Sequence, residues 1–242
     1  MNLLKNSQLY ALAGCLFLGA TNVFAVPLVF NTSEYSVFAA VEVGNSSSDL
    51  FTQTNPPDPL PLLASASLAN GSNSASASGN ANTGQLNVST SVSSLNLSTG
   101  ATSGAGFESQ FTGTGGSVNF LIDFLNTNNF NTGFAGAELV VTLVSGTTTL
   151  FDQIFNNSQS IAQSFVLASG SSNIFNIQLI SSADAFGDGE TSAFGLNTAS
   201  AAFSLNAAPA VAIPEPGIAW LMLGGLGLLG WSRRSMIRTP TL

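Results

Sequence analysis

The stretch Val118-Asn119-Phe120-Leu121-Ile122-Asp123-Phe124 decides the fold class: Val118, Phe120, Ile122 and Phe124 share one side of an extended chain, opposite Asn119 and Asp123. Successive side chains of a β-strand point to opposite faces, so this period of two reads as a strand with one buried face. The pattern recurs. Leu139, Val141 and Leu143 alternate with Glu138 and Thr142, and Ser145-Gly146 supplies a turn into residues 147–155. Phe175, Ile177 and Leu179 alternate with Asn176 and Gln178, and Ala199, Ala201, Phe203 and Leu205 with Ser200 and Ser204. No stretch between Val26 and Leu205 combines a 3.6-residue period with helix caps. Short strands with Gly, Asn and Ser turns predict an all-β body over residues 26–208, an antiparallel β-sandwich of jelly-roll-like type.

Residues 64–106 are low in complexity, built almost wholly of Ala, Ser, Asn, Thr and Gly. Within them Leu86, Val88 and Val92 still alternate with Asn87, Ser89, Ser91 and Ser93. Residues 85–97 therefore read as strand and 72–84 as a flexible loop, although the small side chains of 74–78 also allow a flat edge strand. The Pro-rich piece at 56–61 reads as a stiff connection.

Charge excludes several functions. Charged residues make up 7% of the chain, against about 25% in an ordinary soluble domain. The basic residues are Lys5, Arg233, Arg234 and Arg238, so Val26 to Ser232 contains no Lys, Arg or His. A body without cations neutralises no phosphates, which excludes nucleic acid as a partner and anionic headgroups as a docking surface for the body. The one cysteine, Cys15, precedes the body, so stability there rests on packing rather than disulfides.

Both ends read as addresses. Residues 1–25 have the layout of a signal peptide: Lys5 as the positive region, an apolar stretch from Leu9 to Gly19, and Val23-Phe24-Ala25 ahead of a cut between Ala25 and Val26 by signal peptidase. A rival reading rests on Leu12-Ala13-Gly14-Cys15, which resembles the lipobox of bacterial lipoproteins; the apolar run before Cys15 is short for one and Leu16-Phe17-Leu18 makes an apolar mature start. At the other end, residues 209–242 form a tail with Pro214-Glu215-Pro216-Gly217, an apolar run over 218–231 flanked by Trp220 and Trp231, then Arg233-Arg234. The prolines enforce an extended spacer. The run of about 14 residues spans roughly 21 Å as a helix, against a hydrocarbon core of about 30 Å. It predicts a short transmembrane helix whose arginines stay in the cytoplasm, leaving the body outside.

The tail resembles the PEP-CTERM sorting domain over residues 212–238, with Pro214-Glu215-Pro216 as the motif, the apolar helix after it and the arginines last. The resemblance implies recognition by an exosortase, a membrane protease of transpeptidase type. It also implies export in a Gram-negative bacterium that makes extracellular polysaccharide, with passage through the inner membrane to the cell surface or matrix. The chain runs on past the arginines to Leu242, where the family usually stops sooner.

For chemistry the body offers little. General bases and activated nucleophiles are mostly His, Lys and Cys, and it has none. A glycosidase would want aromatic platforms beside its carboxylates; the body has no Trp, a single tyrosine, Tyr35, and Phe residues on the inward-facing pattern. No enzyme is expected. Asp184, Asp188 and Glu190 on a Gly-rich loop are candidate oxygen ligands for calcium, with a spacing that matches no EF-hand. The reading is thus an exported, non-enzymatic cell-surface or matrix protein sorted by its tail. The alternative is an adhesin-like module that binds calcium or polysaccharide. If residues 1–25 are a cleaved signal, the exported protein begins at Val26; N-terminal sequencing that finds a lipid-modified Cys15 instead would overturn this.

Overall fold

The computed structural model describes residues 26–28, 30–54 and 60–208. The readings at 1–25 and at Ala25, Pro214, Glu215, Pro216, Gly217, Arg233, Arg234 and the apolar run 218–231 lie outside them. Every regular element among the described residues is a strand. In chain order these are β1 (Val26–Pro27), β2 (Phe30–Val43), β3 (Ser46–Thr54), β4 (Leu62–Asn70), β5 (Asn73–Asn82), β6 (Gln85–Ser94) and β7 (Ser98–Thr112). The second half supplies β8 (Ser117–Phe130), β9 (Gly133–Ser145), β10 (Thr148–Phe155), β11 (Gln159–Val166), β12 (Ser172–Phe186) and β13 (Ala193–Ala208).

Two sheets stack face to face. The first has the order β11-β8-β13-β6-β5-β4, with β1 pairing Asn206 and Ala207 of β13; the second has the order β10-β9-β12-β7-β2-β3. Neighbours in both are antiparallel. Most connections cross from one sheet to the other, so the apolar faces of consecutive strands meet each other across the core.

The core changes character along the strands. In β7 the inward positions run Ala101, Ser103, Ala105 and then Phe107 and Phe111; in β9 they run Ala135 and Ala137, then Leu139, Val141 and Leu143. β12 runs the opposite way and reverses the order, Phe175, Ile177 and Leu179 before Ser181, Ala183 and Ala185. Pairing aligns the switch: Ala105, Leu179 and Leu139 are neighbours, and Ser103, Ser181 and Ala137 form the next row. One pole is therefore packed with phenylalanines, with Phe120 and Phe151 at 5.1 Å and Phe107 and Phe203 at 5.0 Å between ring centres. The other pole is packed with alanine and serine.

Small side chains force the sheets together. At Gly79 of β5 a Cβ atom would lie 2.5 Å from the Gly104 carbonyl oxygen of the opposing sheet. Here side chains hydrogen-bond directly between sheets. Thr90 Oγ1 of β6 lies 2.8 Å from Ser181 Oγ of β12, and Ser181 Oγ donates to Asn197 Oδ1 of β13 at 2.7 Å. Asn197 Nδ2 then donates to Asn126 Oδ1 of β8 at 2.7 Å. Asn73, also buried, closes the β6–β7 turn: its Oδ1 accepts from the backbone N–H groups of Leu95, Asn96 and Leu97.

The expected flexible loop at 72–84 is instead the strand β5, which lies between β4 and β6 rather than at an edge. Its inward residues Ala75, Ala77, Gly79 and Ala81 have the low volume that the narrow pole requires, and their alternation with serine gave the period of two almost no amplitude in hydropathy. A second difference concerns the phenylalanines. Phe51, Phe130, Phe134, Phe186 and Phe194 are exposed rather than core.

Ser181 is fully buried and bonded to partners in the other sheet. Ser181→Ala strands Thr90 and Asn197 and should cost about 1–3 kcal/mol of unfolding free energy. Chemical denaturation checks this, and an unchanged midpoint would refute the bridging role.

Candidate functional site

The two outward faces of the sandwich differ in chemistry. Every carboxylate of the described strands except Asp123 points outward from the second sheet, as the pairing and burial alternation show. Glu34 and Glu108 stand opposite each other on β2 and β7, Asp152 lies at the end of the same row, and Glu138 stands on β9. At the small-residue pole Glu42, Gly100 and Asp184 form one cross-strand row, with Asp49 in the next. Between these acidic groups runs an apolar band. Phe51 is 63% exposed and paired with Phe38, whose ring fills the notch over Gly104, where a Cβ would come within 2.1 Å of Phe38 Cε1. Ile180 pairs with Gly104 from the other side.

The outward face of the first sheet is nearly free of charge. Thr127, Thr198, Ser89, Ser78 and Ser65 form one row across five strands. Leu196, Ser91, Ser76 and Ser67 form the next. Strand spacing of about 4.8 Å and a two-residue repeat of about 6.7 Å make this a regular array of hydroxyls. A shallow trough of about 530 Å³ crosses it, walled by Leu63 and Leu125 and floored by Asn80, Asn87, Ser89 and Ser200. Asn80 Oδ1 is buried there with no hydrogen-bond donor among the described residues. No single segment displays this array; it arises only when four or five strands are put in register.

The candidate calcium ligands do not converge. Asp184 belongs to β12, not to a loop, and faces Glu42 across Gly100. Burial, and then the Glu42 charge, raise its pKa from the ordinary aspartate value. Asp188 lies in the turn after β12, where its Oδ1 accepts from the backbone N–H groups of Glu190 and Thr191 at 2.9 and 2.7 Å. Those bonds lower its pKa and mark a turn-closing role. Among the described residues no group of three or more acidic, His or Cys side chains is placed to hold a metal ion.

The body thus presents two outward faces that differ in charge, and a tail follows it in the chain. Residues 212–238 match the model of the PEP-CTERM protein-sorting motif. The chain carries a PEP-CTERM sorting tail. That tail implies export, membrane-associated sorting in a Gram-negative envelope and processing by an exosortase. Among the described residues no helix is long and apolar enough to cross a membrane.

No curated protein matches the chain. Among solved structures it is similar to one described as "CBM4 structure and function", at 10% identity over 53% of this chain and 74% of that one, with a TM-score of 0.25. TmCBM61 in complex with β-1,4-galactotriose is similar at 8% identity over 54% of this chain and 86% of that one, with a TM-score of 0.22. A structure of the infectious bursal disease virus Gx strain covers 84% of this chain and 73% of its own at 9% identity, with a TM-score of 0.17. Likeness at this level carries no argument about function.

Because the folded form of Asp184 takes up its proton at higher pH than the unfolded chain does, folded protein binds more protons across that window, and stability falls as pH rises through it. Asp184→Asn removes the penalty. The variant should melt slightly above wild type at neutral pH and level with it at pH below the carboxylate range. A variant that melts lower at neutral pH would show that the carboxylate is held favourably after all.

Proposed function

We propose that this is a non-enzymatic component of the cell surface or extracellular matrix, delivered by its PEP-CTERM tail. On this reading signal peptidase removes residues 1–25. The apolar run 218–231 holds the chain in the inner membrane until the exosortase acts at the Pro214-Glu215-Pro216 motif. The body, a sandwich we read as jelly-roll-like, is the cargo. The observation that carries the proposal is the sorting motif at 212–238. Support comes from the composition of the cargo, which lacks His, Lys and Cys and offers only carboxylates and hydroxyls as reactive groups.

A second reading, a polysaccharide-binding module, is favoured by the trough on the first sheet: its floor of hydroxyls and amides, and the unpartnered Asn80 oxygen, suit a neutral polyhydroxylated chain. Exposed Phe51 stands on the opposite side of the sandwich, so the trough has no aromatic platform. That ranks the reading second.

Replacing Pro214, Glu215 and Pro216 together by alanine leaves the apolar run intact and removes the recognition element. The triple variant should accumulate unprocessed in the inner membrane, whereas wild type is shortened at its C-terminus and leaves it. Cell fractionation with intact-mass measurement checks this; equal processing of the two would refute sorting through the motif.

A further inference from the structure

Edge strands expose a row of unpaired backbone N–H and C=O groups, and folded β-proteins ordinarily block them with charges, bulges, prolines or covering segments. The two sheets of this body treat their edges differently. In the second sheet both edge strands carry a carboxylate, Asp49 on β3 and Asp152 on β10, and β10 is also broken by a register shift between Thr149 and Phe151. The first sheet has neither device. Its edges β4 and β11 contain no charged residue and no proline, and each pairs with its inner neighbour without a register shift. The nearest carboxylate, Asp123, is one strand in from β11, and its Oδ1 accepts the Ser160 hydroxyl at 2.6 Å.

These edges also fit each other. The path β11-β8-β13-β6-β5-β4 has six strands, all antiparallel, so β11 and β4 run in opposite directions. Setting β4 of one copy beside β11 of the next therefore continues the antiparallel order when the second copy is turned to follow the sheet's twist. The strands have similar lengths, with 9 and 8 residues. Charge points the same way, since a body without cations repels its own copies through the acidic face and least through the first sheet, whose one strand carboxylate is Asp123.

The geometry points to self-association: β4 of one molecule adds to β11 of a second copy, extending the first sheet from molecule to molecule. The contact is heterologous, and because each added copy advances along the direction in which the strands stack while turning with the sheet's twist, repetition generates an open filament rather than a ring. It concerns the folded body and does not depend on how the tail is sorted.

The test uses the full chain purified in detergent and followed by sedimentation and negative-stain microscopy from micromolar to millimolar concentration. Two variants place lysines on solvent-facing positions of one edge each, Ser65→Lys with Ser67→Lys on β4, and Ala162→Lys with Ser164→Lys on β11. Circular dichroism confirms that each is folded. Wild type should lengthen into filaments with concentration, and each variant alone should stay monomeric. An equal mixture of the two, one with a free β11 and one with a free β4, should form dimers and stop. Wild type that remains monomeric throughout the range overturns the proposal. So does a β4 variant that assembles like wild type, which would place the contact elsewhere, the tail included. Wild type that stops at a dimer shows isologous pairing and overturns the filament, as does a mixture that stays monomeric.

Discussion

The chain Thr90–Ser181–Asn197–Asn126 is the contact on which the rest of the body depends. It joins the sheets by side-chain hydrogen bonds, which is possible only where they approach closely. That approach in turn is possible only because the residues around it are alanine, serine and glycine. Buried alanine contributes far less than the ~1.5–3 kcal/mol of a buried Leu or Phe side chain, so this pole cannot be held by apolar burial alone. Buried hydroxyls and amides with satisfied partners add the missing specificity, since each would be costly if the sheets slid and left it unpaired. Ser103 makes a further bond of the same kind, donating to the Ser89 carbonyl oxygen of the other sheet at 3.2 Å.

The aromatic pole works by the opposite rule. Phe120 sits against Phe151, Phe165 and Phe175, which come from both sheets and from the edge strands β10 and β11. Such contacts are large and tolerant of small shifts, whereas the hydrogen-bonded pole admits one register. A long strand such as β7 or β12 therefore carries bulk at one end and registration at the other.

This division decides what could be read from the sequence. Val118–Phe124, Leu139–Leu143 and Phe175–Leu179 alternate between bulky apolar and polar residues, and each is a strand in the structure. β5 was not legible because Ala and Ser differ little in hydropathy, so a strand with a buried alanine face reads as low-complexity linker. Its burial is fixed by the opposing glycine and alanine of β7, a fact of tertiary structure. The same limit applies to the surfaces. The hydroxyl array and the acidic face are patterns across four to six strands, and no window of one segment contains them. Asp184, Asp188 and Glu190 show the converse: proximity in sequence suggested a cluster, yet β12 carries Asp184 out onto the sheet face while Asp188 closes its own turn. The sorting motif was legible because it is a linear signal.

The absence of cations from the body ties these surfaces together. Elsewhere, opposite charges on neighbouring strands cancel and allow carboxylates to be spread over both faces. Here a carboxylate has no partner to pair with, so like charges must be kept apart or left in water. Gathering them on one outward face leaves Asp123 as the one strand carboxylate of the first sheet and leaves its edge strands β4 and β11 uncharged. On the acidic face Gly100 separates Glu42 from Asp184, whereas Glu34 and Glu108 stand directly opposite each other at the surface. The pKa of Asp184 is raised by burial first and by the remaining repulsion from Glu42 second. A molecule built this way is repelled least by a second copy at the uncharged edges of its first sheet and turns its acidic sheet to the surroundings.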